Sequence, residues 1–328
     1  MVSGNGHAAR DWQEDIQMLN RIKLKAVSAS VLMAFCAASY GLAQVAEATE
    51  PDEEEALVNE KVVVTVRKPA ETKNYVEQIT APPFGTEQLA RWDDRICVGV
   101  SGVREEQAQF IADRVSQRAV EIGLRTGKPG CEPDITVLIT ADPQALIAAM
   151  QEKYAGLFAI SDESRTGTLG QAAFEQFKTE ARPVRWWHVS ETRSSDGTRI
   201  RGEARQGVTD GVTSAPTVRS EGSRLRSAIR EDLSRAIIIV DANLVQGVPM
   251  DSLADYVAFV ALMQADPNGN TSSIDTILNL FRSDLGDQRA TSLTDWDRDF
   301  LRALYSMPRN TASLSQAERY LAQRMERD

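Results

Sequence analysis

The chain has 328 residues, with 37 Lys and Arg against 47 Asp and Glu for a formal charge of -10, and 42% hydrophobic residues. That composition excludes a disordered tail, a collagen-like rod and a polytopic membrane protein, and the length suits one large domain or two small ones at roughly 100–200 residues each. An acidic surface repels nucleic-acid phosphates and anionic lipid, so neither is an expected partner.

Arg21, Lys23 and Lys25 precede an uncharged, mostly apolar run at 26–42 that ends in Gly41-Leu42-Ala43. This is the layout of a secretory signal peptide, with cleavage expected after Ala43. The competing reading, a membrane anchor, is weakened by Ser28, Ser30 and Ser39 in a run short for a ~30 Å hydrocarbon core. Phe35 before Cys36 argues against lipidation. Met18 opens a more conventional leader than Met1, since Asp11, Glu14 and Asp15 put acid ahead of the basic start; residues 1–17 then reflect a misassigned start. Residues 1–43 carry four basic and three acidic side chains, so removing them leaves 33 against 44. The expected compartment is periplasmic or secreted, with no transmembrane span after cleavage.

Residues 44–60 are acidic and aperiodic, a solvated linker. Glu60-Lys-Val-Val-Val-Thr-Val-Arg67 resembles the energy-coupling box near the mature N-terminus of TonB-dependent outer-membrane receptors, which pairs as an added strand with its partner. That resemblance implies an accessory role in energy coupling through residues 60–68; an ordinary edge strand or arm is the alternative. Pro69, Pro82 and Pro83 predict an extended arm over 44–88 together with the linker, and one globular α/β domain over 89–328.

In that domain the pattern predicts a strand at 96–100, a helix at 105–124 with Ala108, Ile111, Val115 and Ala119 on one stripe, and a strand at 135–140, together a crossover unit. Asp142-Pro143 caps a helix to 153, residues 156–170 are irregular, and 171–179 is a short helix. Residues 184–190 and 198–204 bracket Ser195-Asp-Gly197 as a hairpin. Residues 225–233 read as helix and 236–241 as the strongest strand, a continuous apolar run suited to a sheet covered on both faces. Helices follow at 250–265, 273–283, 294–306 and 313–326, with capping patterns at Thr294/Asp297 and Ser313/Gln316. The helix at 250–265 has almost no polar face; Asp255 on it, if buried, needs a partner or a proton. The fold class expected is a twisted mixed α/β sheet with covering helices and a C-terminal helical region.

The mature chain keeps two cysteines, Cys97 and Cys131, and a disulfide between them is expected in an oxidising compartment, with two buried free thiols as the alternative. By chain entropy the bond is worth roughly 3–4 kcal/mol. His188 is the single histidine past the leader, so a zinc site of two or three imidazoles cannot form within one mature chain, and no cysteine cluster replaces them. No metal site and no cofactor is called for by any motif; Asp266-Pro-Asn-Gly-Asn270 reads as a turn.

The order of elements over about 95–305 resembles the zincin-like metallopeptidase fold, in which a mixed sheet covers a buried helix carrying H-E-x-x-H. Here Leu253-Ala-Asp-Tyr-Val257 stands in that place, so the resemblance implies a metal-free pseudoenzyme to which no catalytic residue carries over. A second resemblance is to exported bacterial proteins of unknown function, through Leu89-Ala-Arg-Trp92, Ala181-Arg-Pro-Val-Arg-Trp-Trp-His-Val-Ser190, Ile239-Val-Asp-Ala242, Leu253-Ala-Asp-Tyr-Val-Ala258 and Leu293-Thr-Asp-Trp-Asp-Arg298. It implies no activity.

Trp186 and His188 share one face of a strand while Trp187 takes the other. An aromatic floor with a titrating imidazole suits a sugar, peptide or aromatic ligand; sheet packing with a satisfied histidine is the competing reading. The candidate binding residues are Trp186, His188, Asp241, Asp255 and Tyr256. The expected function is non-catalytic binding of a protein or envelope ligand. The alternative is a hydrolase using His188 with Asp241 or Asp255, although Gly99-Val-Ser-Gly-Val103 misses the nucleophile-elbow pattern at its last position. Arg219, Arg224, Arg226 and Arg230 are a candidate anion site or a solvated helix face.

Overall fold

The computed structural model describes residues 67–160, 166–200 and 223–326. The leader, the acidic linker, residues 60–66 of the coupling-box likeness and Arg219 lie outside the described residues.

The first described element corrects the reading of an extended arm up to Leu89. Residues Pro69–Ile79 form a helix, α1, in which Thr72, Tyr75, Val76 and Ile79 make a buried stripe. Pro69 does not break this helix; it starts it, because the first-turn N–H groups have no intrahelical partner and proline's fixed φ fits there. The domain therefore includes α1.

Two short parallel strands, β1 (Arg95–Ile96) and β3 (Arg125–Thr126), pair beside the main sheet. The main sheet has β2 (Val98–Ser101), β4 (Ile135–Thr140), β5 (Thr166–Gly167), β6 (Val184–Ser194) and β7 (Ile229–Asp241), in the order β2-β4-β7-β6-β5. β2, β4 and β7 run parallel, while β6 is antiparallel to β7 and β5 to β6. Helix α2 (Glu105–Glu121) connects β2 to β4, which makes the expected crossover unit. Cys97 sits between β1 and β2 and is disulfide-bonded to Cys131, 34 positions on, with Cα atoms 6.1 Å apart. A side chain on Gly127 would collide with the Cys131 sulfur, so the bond packs directly on that turn.

The central strand β7 shows why its sequence is a continuous apolar run. Ala236, Ile238 and Val240 face one core, Ile237 and Ile239 the other. On the second face, α3 (Pro143–Tyr154) and α4 (Gly170–Thr179) cover Trp187, Val189 and Leu138, with Phe158, Phe174 and Phe177 as filling. On the first face lies α5 (Met250–Leu262), buried from Ser252 to Leu262. A helix with no polar face is stable only when enclosed. α2 packs beside it, and α6 (Asp295–Ser306) and α7 (Leu314–Met325) enclose it with α1.

Two further readings are corrected, and a third is met in part. Residues 225–233 are not helical, because β7 begins at Ile229 and its Arg230, Glu231 and Asp232 pair in register with Arg193, Thr192 and Glu191 of β6. The turn at Ser195, Asp196 and Gly197 is present, and β6 pairs along its length with β7; past the turn the bridge Arg193 to Arg199 is formed, and residues 201–204 of the expected second arm lie outside the described residues. Residues 273–283 hold only 3-10 turns, at Ile277–Asn279 and from Ser283 to Gln288.

Asp297 is the tightest node of the fold. Its Oδ1 accepts from the Tyr75 hydroxyl (2.6 Å) and the Thr276 hydroxyl (2.7 Å), and its Oδ2 from the N–H groups of Ile277 (2.8 Å) and Thr294 (3.0 Å). One fully buried carboxylate thus caps α6, starts a 3-10 turn and holds α1. Burial pulls its pKa up, against the opposing effect of these donors.

Candidate functional site

The five candidate binding residues do not form one constellation. His188, on β6, is 1% exposed. Its Nε2 lies 2.8 Å from the Val260 carbonyl, an acceptor, so Nε2 carries the proton and Nδ1 is left with a lone pair and no partner. Burial depresses the imidazole pKa to about 4, because the charged form has no water around it. Asp255, on α5, receives Arg114 (3.0 Å), Arg118 (3.1 Å) and the Leu293 N–H (3.3 Å). It ties α2 to α5 as a structural ion pair. Asp241, at the end of β7, accepts from the Asn243 N–H at 2.9 Å. His188 makes no hydrogen bond to either carboxylate, so no triad is assembled around it.

Trp186 and Tyr256 do come together. Their ring centroids are 6.2 Å apart, and Tyr256 meets Phe281 edge-on at 5.1 Å. These aromatics line a cleft of about 150 Å³ whose rim carries Arg182, Asp266 and Pro267. The indole N–H of Trp186 donates to the Ala265 carbonyl at 3.0 Å, which fixes its ring. Burial pushes the Tyr256 phenol well above its ordinary pKa, so it stays neutral. The cleft opens where β6 begins: Val184 pairs with Val240, and the Pro183 carbonyl accepts the Asp241 N–H at the carboxyl end of β7.

The far wall is the 266–281 segment, held rigidly from behind. Asn279 donates to the carbonyls of Thr271 (2.9 Å) and Ile274 (2.8 Å) and accepts from the Thr271 hydroxyl (2.7 Å). A Cβ at Gly269 would collide with the Gln78 carbonyl, so glycine lets this loop lie directly on the end of α1. Arg182 clasps the loop to the sheet through the Pro267 carbonyl and Asn268 Oδ1 (2.8 Å) and also holds Glu180 (2.7 Å).

Round the edge of β6 lies a narrow slot of about 20 Å³, which shares Arg182, Val184, Trp186 and Pro267 with the cleft. Phe177 and Trp187 supply its apolar wall, and Arg185 lies within it. Sequence reasoning missed Arg182, Arg185 and Phe281. Arg182 and Arg185 stood inside a singled-out motif, but nothing local showed that they would face a cavity.

Other sequence candidates dissolve in the fold. Trp187 donates to the Phe158 carbonyl at 2.9 Å and is core. Arg230 is committed to Asp232 (2.8 Å) and Asp93 (2.9 Å), while Arg224 and Arg226 are exposed, so they do not converge on an anion site. Ser190 donates to Glu231 at 2.9 Å, a serine beside a carboxylate whose pKa burial raises, but both are buried. A second cleft of about 260 Å³ lies between α1 and α6, lined by Glu71, Asn74, Asp275 and Trp296, with the Trp296 ring engaged by Arg67 at 4.5 Å and Tyr75 at 5.4 Å. Among the described residues no group of three His, Cys, Asp or Glu side chains is placed to hold a metal ion, and no helix is long and apolar enough to cross a membrane.

No family model, curated protein or solved structure matches this chain.

Proposed function

We propose that this chain is a non-catalytic, extracytoplasmic binding domain that receives an apolar group of a partner or small ligand in the Trp186–Tyr256–Phe281 cleft. The observation that carries this reading is the cleft's construction: three aromatics on a fixed frame with few polar groups at the rim, the ordinary makeup of a ligand pocket. Its position supports the reading as well, since open α/β sheets bind ligands outside the carboxyl ends of their parallel strands. The sealed imidazole supports binding over hydrolysis, because a general base must reach its substrate. Export rests on the leader pattern and on a disulfide that suits an oxidising compartment. In the same reading the domain is a metal-free relative of the zincin-like layout, with α5 carrying Leu253-Ala-Asp-Tyr-Val257 in the place of the catalytic motif.

The test is an NMR titration with 3-phenylpropanamide, a neutral aryl probe, following the indole N–H resonance of Trp186. A saturable shift is expected in the parent protein, weakened about tenfold in Phe281→Ala, the loss of a well-packed aromatic contact. Absence of any shift, or equal affinity in the variant, removes the cleft from consideration. N-terminal sequencing of exported protein is expected to begin at Gln44; recovery of the uncleaved chain from cytosol would sink the compartment assignment.

A further inference from the structure

Arg185 is 5% exposed, yet its guanidinium is poorly provided for. Its Nη1 reaches two carbonyls in the last turn of α4, Phe177 at 3.4 Å and Lys178 at 3.2 Å, both long. Its Nε is buried with no hydrogen-bond partner, and no bond is formed by Nη2 among the described residues. No carboxylate lies within ion-pair distance of it there; Asp241 and Glu180 act on it only at longer range. Other buried arginines of the domain are better served. Arg230 has two carboxylates, and Arg91 has the carbonyls of Leu304 and Met307 at the end of α6.

The groups left open are the informative part. Nε and Nη2 form the side-on fork of a guanidinium, whose two parallel N–H bonds match the two oxygens of a carboxylate. The slot in which Arg185 lies offers little more space than one water-sized group, so it suits the head of a ligand and not its body. Besides its apolar wall it is lined by Gln176, Arg182 and Glu180, and that carboxylate is held by Arg182 at 2.7 Å. The body has room next door, in the cleft that shares four lining residues with the slot. A buried, unpaired donor costs free energy until an acceptor arrives, and a ligand supplying that acceptor recovers it.

We propose that Arg185 anchors a carboxylate, so that the ligand of the cleft is an apolar carboxylic acid, either free or as the C-terminus of a peptide. This inference rests on the cleft being the binding site. It goes beyond that reading by naming the group recognised and the residue that recognises it.

The experiment titrates the full mature chain at neutral pH with 3-phenylpropionate, 3-phenylpropanamide and N-acetylglycyl-phenylalanine bearing a free carboxylate. Both acids are expected to bind at least about tenfold more tightly than the amide, as a charge-assisted bidentate pair requires. A free-acid site favours phenylpropionate and a peptide-terminus site favours the peptide. In Arg185→Gln the preference for acid over amide is expected to vanish. Because that variant disturbs a buried position, the parent protein carries its own readout: the Arg185 Nε–H resonance moves downfield with acid and not with amide. Equal binding of acid and amide, with the resonance unmoved, means the slot holds only solvent and overturns this inference while leaving the cleft intact. Failure of all three probes overturns the cleft and the inference together.

Discussion

Asp297 and Arg185 are both charged groups withdrawn from water, and the fold treats them in opposite ways. Asp297 collects four donors from three separate segments, two on each oxygen. Arg185 receives two long carbonyl contacts and keeps an unused fork. His188 belongs with Arg185, since one of its ring nitrogens is bonded and the other is not. Burial of a polar group therefore does not by itself distinguish the two; the supply of partners, and whether the group lines a cavity, does. His188 has the deficit without the cavity, and Arg185 has both.

Asp297→Ala is the hardest blow to the saturated member of this comparison. It strips the cap of α6 and leaves buried donors on Tyr75 and Thr276, so a loss of about 3–5 kcal/mol is expected in urea unfolding. A loss under about 1 kcal/mol would mean that the node is not a structural centre.

A second test uses pH on His188. Its folded pKa of about 4 lies below the ordinary value of 6.5, so the unfolded chain binds a proton that the folded one refuses. Its contribution is fully present above pH 6.5 and is lost as pH falls through 4, a change on the order of 3 kcal/mol by linkage. Carboxylates with raised pKa, such as Glu231 and Asp297, tilt the other way, their contribution fading as pH rises. Comparison with His188→Gln isolates the imidazole: the parent's extra slope between pH 4 and 6.5 is expected to disappear in the variant. Parallel curves would show that His188 meets water.

The smallest effect sharpens the cleft. Trp186→Phe keeps an aromatic floor but deletes the donor to Ala265, and about 1 kcal/mol of stability is expected to go with it. An unchanged midpoint in thermal unfolding would mean that the ring is held by packing alone.

Much of the scaffold was legible because its signals are local. The β2–α2–β4 crossover, the doubly covered strand at 236–241, the enclosed α5 and the caps at Thr294 and Ser313 each follow from periodicity or a cap pattern. The cysteine pair was legible from its count. α1 is not legible because Pro69 can stop a helix or start one. The first half of β7 was missed because Arg230, Glu231 and Asp232 are unlikely strand residues unless partners such as Ser190 and Asp93 await them, which only the assembled sheet provides. The cleft is half legible. Trp186 and Tyr256 were singled out, whereas Phe281 and Arg182 enter it through a loop whose course depends on Asn279 and Gly269.

The Asp297 node also orders events in time. Tyr75 lies near the start of the described chain, while Thr276, Ile277, Thr294 and the carboxylate itself lie more than 200 positions later. Helix α1 rests on Tyr75 against Phe300 and is flanked by α7, so its apolar stripe has no resting place until the C-terminal segment has emerged. The polypeptide is latched shut by its last helices, and a nascent chain halted before residue 294 is left holding an open seam.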